Sequence, residues 1–302
     1  LLGQVHSFSL RMMSSSQSSN SAAHSIKVID SHLHIWASRS ESEKSYPYAD
    51  GQIPPDSLID RASSRSLLEC MNEAKVDGAL IVQPINHKFD HTYVASAIKE
   101  YPKRFKGMML HDPSLSPEYA VSRLEELVLQ GFVGVRFNPY LSDEKMSDKD
   151  SSSLAVYKRC AELNIPVGIM CFKGLNLHFD DILALIQAFP KTPVILDHFG
   201  FTGLDEQGNE SFMKLLSLSK YKNVYIKISA IFRVAAPGGD EFPFNRVRDE
   251  RFFPLLSEFG SQRLLFGTDF PFVLEQTGGY KGNTDLLSSW VSNDEDLRAI
   301  MS

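Results

Sequence analysis

Cysteine is scarce: Cys70, Cys160 and Cys171 are the only three in 302 residues. They lie too far apart to form a disulfide framework or a paired-thiolate metal site, which suggests a reducing, intracellular setting. No apolar run approaches the roughly 20 residues of a membrane-spanning helix, so no membrane partner is expected. Basic residues are outnumbered, 31 Lys and Arg against 37 Asp and Glu, for a formal net charge of −6, and they do not cluster. That excludes a nucleic-acid surface. No glycine-rich phosphate loop follows the first strand-like run, which argues against a doubly wound nucleotide-binding sheet. What remains is an ordinary globular composition, 43% hydrophobic and 23% charged, suited to a small-molecule substrate. Association into a homo-oligomer is left open.

Residues 1–26 are different in kind. They are rich in serine, carry Arg11 and no acidic residue, and cannot build a core. We expect a disordered leader on a cytoplasmic protein. The alternative is a transit peptide that directs the chain to a plastid or mitochondrion.

From Lys27 onward the chain is organised around the stretch that ends in His32-Leu33-His34-Ile35-Trp36. Lys27, Val28 and Ile29 read as a buried strand. In extended chain, residues i and i+2 project from one face, so both imidazoles can point at one spot beyond the strand end. Further apolar runs follow at residues 78–83, 106–110, 131–137, 166–171, 193–198, 223–228 and 263–268. Helical patterns alternate with them, for example at residues 58–75, 115–130, 154–163 and 179–189. Strands without polar alternation are buried on both faces, as in parallel sheets. Eight such units over residues 27–302 predict a single-domain (β/α)8 TIM barrel.

In such a barrel the strand C-termini open onto one mouth. The unusual polar residues fall there: His32 and His34, Arg136, His198, Lys227 and Asp269. Each has a plainer reading. His198 can be a satisfied histidine near a helix start, Arg136 and Lys227 can pair with carboxylates between strands, and Asp269 can cap the turn before Pro271. Their convergence on one mouth is harder to explain as packing. His87, His91, Tyr140 and Tyr280, in polar loops, are candidates for shaping specificity, with a solvated side chain as the expected alternative for each.

The segments His32-Leu33-His34, Gly134-Val135-Arg136, Leu196-Asp197-His198-Phe199-Gly200 and Leu265-Phe266-Gly267-Thr268-Asp269-Phe270-Pro271 resemble motifs of the amidohydrolase superfamily. Together with Val224-Tyr225-Ile226-Lys227-Ile228-Ser229, they are most similar to its amidohydrolase-2 branch, which includes lactonases of sugar acids and pyrone dicarboxylates. The resemblance runs from residue 27 to about residue 290. It implies a hydrolytic barrel in which water attacks an ester, lactone or amide carbonyl. It also implies that the first-strand histidines and the eighth-strand aspartate hold one or two divalent metals, with a fifth-strand histidine or modified lysine as a further ligand. The chain departs there: its fifth strand ends in Ile169-Met170-Cys171-Phe172, with Lys173 just beyond. Cys171 is at most a soft ligand, and a binuclear site is not expected. Members of the branch usually end in a short Gly-Asn-Ala-like segment. This chain stops at Arg298-Ala299-Ile300-Met301-Ser302, so a truncated or different ending is expected.

The reading expected from these residues is a lactone or ester hydrolase acting on a small carboxylated compound without a cofactor. Asp269 would be the general base, and His32, His34 and His198 would donate hydrogen bonds to the carbonyl as charge develops. Arg136 would grip a substrate carboxylate through its planar fork, with Lys227 and Tyr280 as further substrate contacts. In the metal-bound version, His32, His34 and Asp269, with or without His198, hold one zinc-like ion. A metal-dependent decarboxylase of the same branch, or a barrel that only binds, are the competing readings.

Overall fold

The computed structural model describes residues 26–302. The expected leader, apart from Ile26, lies outside the described residues. Eight parallel strands, β1 (Ile29–Leu33), β2 (Gly78–Val82), β3 (Phe105–Leu110), β4 (Phe132–Phe137), β5 (Val167–Ile169), β6 (Val194–Leu196), β7 (Val224–Ile228) and β8 (Leu264–Phe266), pair each with the next in sequence order. The ring is closed by a bridge between Leu33 and Phe270, just past β8. There His34 N donates to Phe270 O at 2.7 Å and Asp269 N donates to His32 O at 2.8 Å. The expected (β/α)8 barrel is therefore present, and its seam runs through three of the expected site residues. No described helix is long and apolar enough to cross a membrane.

The outer helices begin where side chains can cap them. Ser63, Ser116, Ser151 and Asp205 each accept a hydrogen bond from a first-turn amide. Ser63 starts its helix at Ser64, later than the periodicity of residues 58–75 suggests. The helix Asp294–Met301, which the sequence reading did not anticipate, buries Ile300 and Met301 at the chain end.

Two cores result. A large one lies between strands and helices, and a small one, Val82, Met108 and Ile195 with Leu80, Tyr225 and Leu265 around them, plugs the barrel. Met108 reaches across toward β4 and β5, and a Cβ on Gly168 would lie 2.7 Å from its Cε. Because strand side chains alternate, the next inward position above this plug is two residues on. Those positions are Arg136 in β4, Asp197 after β6, Lys227 in β7 and Gly267 after β8. The apolar plug thus carries a buried polar layer.

Strand β1 departs from regular pairing. Asp30 pairs with Ala79 but Leu33 with Ile81, so three steps of β1 oppose two of β2. Such a bulge re-aims side chains. Asp30 turns toward Thr268 and Tyr280, while His32 and His34 turn toward Asp269.

Gly267 lets β8 approach β1 at this point: a Cβ there would lie 2.9 Å from both the Cβ and the backbone N of His32. Both neighbours are fixed, so backbone has to shift. We expect Gly267→Ala to destabilise the fold by about 1–3 kcal/mol, read as a lower urea midpoint at an unchanged m-value.

Candidate active site

Asp269 is the centre of the polar layer. Its Oδ1 lies 3.7 Å from His34 Nε2, 3.9 Å from His198 Nε2 and 4.0 Å from His32 Nε2. All three separations exceed a hydrogen bond. Its other oxygen accepts from Arg233 Nε at 3.0 Å. The Arg233 guanidinium also lies over the Phe272 ring, 4.6 Å from its centre.

Each imidazole is fixed by its other nitrogen. His34 Nδ1 lies 2.8 Å from Val82 O. A carbonyl only accepts, so His34 carries its proton on Nδ1 and presents a lone pair at Nε2. His198 Nδ1 lies 2.8 Å from Ser229 Oγ. His32 Nδ1 lies 3.2 Å from Asp197 Oδ1 and 3.1 Å from Lys227 Nζ. His32 Nε2 is fully buried and has no hydrogen-bond partner among the described residues.

Asp197 is completely buried and holds three strands together. Beyond His32 it accepts from Arg136 Nε at 2.9 Å and lies 3.3 Å from Lys227 Nζ. Burial alone would raise its pKa, but Lys227, His32 and Arg136 hold it well below the usual carboxylate range. Asp269 goes the other way: burial raises it to about 6, against the pull of Arg233. Burial keeps the three imidazoles neutral, with His34 pushed down to about 3 and His32 and His198 well below the ordinary value.

The backbone is strained where these side chains emerge. His198 has φ 52° and Asp269 φ 63°, in the left-handed region that side chains with a Cβ rarely occupy. Such conformations persist only where the surroundings over-determine them, and they cluster at functional sites.

His32, His34, His198, Arg136 and Asp269 are thus brought together as expected. Arg136 is engaged by Asp197 through Nε, which bears out the ion-pair reading. Its terminal amino groups make no hydrogen bond to protein among the described residues. Two expected substrate contacts are corrected. Lys227 has no exposed surface, and its ammonium lies against Asp197 and His32 rather than open to the mouth. Tyr280 is not a loop residue: it lies in the helix Gly279–Trp290, buried, with its hydroxyl donating to Asp30. His87 and His91 are not solvated either. Each accepts a backbone amide, from Ala37 and Leu110 respectively, and anchors a loop. Tyr140 packs on Phe172 and accepts from Lys173 N. Cys171 is buried and its thiol is pushed up to about 12 by burial, so it supplies no thiolate.

Asp197, Ser229 and Arg233 were missed as site residues. Asp197 and Ser229 stand inside the quoted motifs, next to His198 and at the end of the seventh-strand segment. Arg233 follows a left-handed Ala230 in the short helix Ile231–Ala235, where no periodicity marks it.

His32, His198 and Asp269 offer ligand atoms within 4.8 Å of one another. His34 stands outside that triplet but within reach of Asp269. A nitrogen and carboxylate donor set with a buried, partnerless His32 Nε2 fits a divalent ion. Of the expected set, His32, Asp269 and the optional His198 form this triplet, and His34 does not.

A family model described as amidohydrolase matches residues 29–302. The chain belongs to the amidohydrolase family. No curated protein matches it. Among solved structures, this amidohydrolase is similar to a probable 2-pyrone-4,6-dicarboxylic acid hydrolase from Acinetobacter baumannii with citric acid bound, at 22% identity and a TM-score of 0.71, covering 91% of this chain and 96% of that one. It is also similar to an amidohydrolase from Burkholderia multivorans with bound zinc (17%, TM-score 0.67, 91% and 96% covered). A 2,6-dihydroxybenzoate decarboxylase from Rhizobium matches at 15% identity, TM-score 0.65, with 91% and 96% covered. At these identities the likeness is one of fold.

Because Asp197 balances two cations in a site without solvent, its removal leaves both uncompensated. We expect Asp197→Asn to lower stability by about 3–5 kcal/mol at neutral pH, measured by chemical denaturation. The wild-type contribution is present above the ordinary carboxylate pKa. It is lost only as pH falls through the lower folded value, so the Asp197→Asn penalty persists unchanged down to the ordinary value.

Proposed function

We propose that this amidohydrolase hydrolyses a lactone or related ester of a small carboxylated compound. The observation that carries the reading is the placement of Asp269. One oxygen is held by Arg233, and the other lies 3.7–4.0 Å from the Nε2 atoms of three neutral imidazoles without a hydrogen bond to any of them. A pKa of about 6 leaves Asp269 largely ionised at neutral pH yet basic enough to take a proton from water. Its Oδ1 is the atom that accepts that proton.

Arg233, bonded to the other Asp269 oxygen at 3.0 Å, and Arg136, whose charge also acts on Asp269, favour a substrate carboxylate, for which a planar fork is suited. Lys227 and Asp197 hold the His32 ring so that it cannot swing away from the reacting carbonyl. The likeness to a pyrone-dicarboxylic acid hydrolase supports the same substrate class.

The expectation of cofactor-free chemistry is weakened by His34. With its proton on Nδ1, it has none at Nε2 to donate to a developing oxyanion. Its lone pair faces the Asp269 carboxylate instead, an arrangement that a cation would relieve. His32, His198 and Asp269 would hold a divalent ion, which when bound supplies Lewis acidity toward a carbonyl.

The test is a panel of carboxylated lactones and esters, followed by proton release, on protein whose metal content has been measured, with and without chelator. We expect turnover, and kcat/KM should fall as pH drops through about 6, because the protonated form of Asp269 is the inactive one. Asp269→Asn should lower kcat by roughly 10²–10⁴-fold; a folded variant at the wild-type rate sinks the assignment. The same carboxylate-holding arginines beside Asp269 also suit a decarboxylase. Carbon dioxide release from carboxylated substrates, with no ring-opened acid formed, would favour that second reading. Ligand binding without any turnover would favour a barrel that only binds.

A further inference from the structure

We propose that Asp30 is a positioning residue that sets His32 and Asp269 relative to each other across the β1–β8 seam. The inference rests on the hydrolase reading only where activity is the readout. Asp30 is completely buried, and no cationic side chain pairs with it among the described residues. Its Oδ1 accepts from His32 N at 3.1 Å and from Thr268 N at 3.0 Å. Its Oδ2 accepts from Thr268 Oγ1 at 2.6 Å and from Tyr280 Oη at 3.0 Å. A carboxylate has about four acceptor positions, and all of them are used.

These bonds reach the backbone on both sides of the site. The bulge leaves the His32 amide to Asp30, while the His32 carbonyl accepts from Asp269 N. On the other side, Asp269 in its left-handed conformation lies between Thr268 and Phe270. The Thr268 amide is bound by Asp30, and the Phe270 amide donates to Thr268 Oγ1 at 3.1 Å. One carboxylate oxygen therefore carries the amide of His32 and the amide of the residue before Asp269. The second oxygen orients the hydroxyl that holds the residue after it.

The chemistry calls for an acid and not its amide. Asparagine keeps the acceptor toward the two backbone amides. Toward the two hydroxyls, however, it presents a donor, and the protons of Thr268 and Tyr280 lose their shared acceptor.

The experiment compares full-length wild type, Asp30→Asn and Thr268→Val by crystallography, thermal melting and steady-state kinetics on a substrate found in the panel. We expect Asp30→Asn to change the His32 Nε2 to Asp269 Oδ1 separation, which is 4.0 Å here. It should also lower the melting temperature by a few degrees, and lower kcat of the folded protein about 10–100-fold with KM nearly unchanged. Thr268→Val should shift both readouts in the same direction, and it carries the test if Asp30→Asn does not fold. Variant structures that superpose on wild type at His32 and Asp269, or a kcat loss that only tracks the unfolded fraction, overturn the proposal. If wild type turns over nothing in the panel, the hydrolase reading fails by itself, and the variant structures still decide the role of Asp30.

Discussion

A carboxylate with no access to water, Asp197, sits on top of the apolar plug and is the constraint on which the polar layer depends. It is bonded to β4 through Arg136, and β7 brings Lys227 and β1 brings His32 to it. Desolvating three charged groups is expensive, and their mutual attraction returns that energy only when the geometry is good and the remaining donors are satisfied. Well-packed apolar side chains in the same volume would commonly be as stable or more so. What they could not do is hold His32 by Nδ1 while leaving Nε2 bare. In this barrel the ion cluster acts as an orienting device, and the fold tolerates its cost because the large outer core lies elsewhere.

The same trade recurs one step nearer the mouth. Asp269 is raised to about 6 by burial, so its ionised form works against folding at neutral pH. The sign follows from linkage: between the ordinary carboxylate value and about 6, the folded state binds more protons, and stability declines as pH rises. Asp269 and His198 both add left-handed backbone to this. The backbone around Asp269 is held by the seam bonds at His32 and Phe270, so strain and closure are one feature. A site assembled at the point where β8 meets β1 inherits its precision from the barrel's own closure.

Much of this was legible in the sequence, for identifiable reasons. Strands buried on both faces must be apolar, so seven of the eight runs declared themselves, and their polar ends marked the mouth. Strand β1 was read too early, because Asp30, Ser31 and His32 are polar residues inside a strand, and a bulge leaves no trace in hydrophobic pattern. Arg136 and Lys227 were conspicuous as charges in apolar runs. Which carboxylate would claim them depended on the stagger of β4, β6 and β7, a three-dimensional fact. Tyr280 was expected in a loop, whereas it lies in the first turn of a helix, from which its hydroxyl reaches Asp30 of β1. Arg233 was invisible: its position follows from one left-handed residue, Ala230, after β7.

The tautomer of His34 then narrows what the mouth can be. An imidazole whose Nδ1 is committed to Val82 O cannot also donate at Nε2 without becoming a cation, and burial keeps the ring neutral by pushing its pKa down to about 3. Its lone pair and the Asp269 carboxylate therefore face each other at 3.7 Å, two acceptors with no proton between them. His32 adds a buried Nε2 that, donor or acceptor, has no hydrogen-bond partner among the described residues. A protein interior does not leave acceptors opposed without reason. A group that donates or carries positive charge, a water or a divalent ion, would satisfy both acceptors at once. His32, His198 and Asp269 are the residues that would hold such an ion, and it would supply Lewis acidity beside the same Asp269 oxygen.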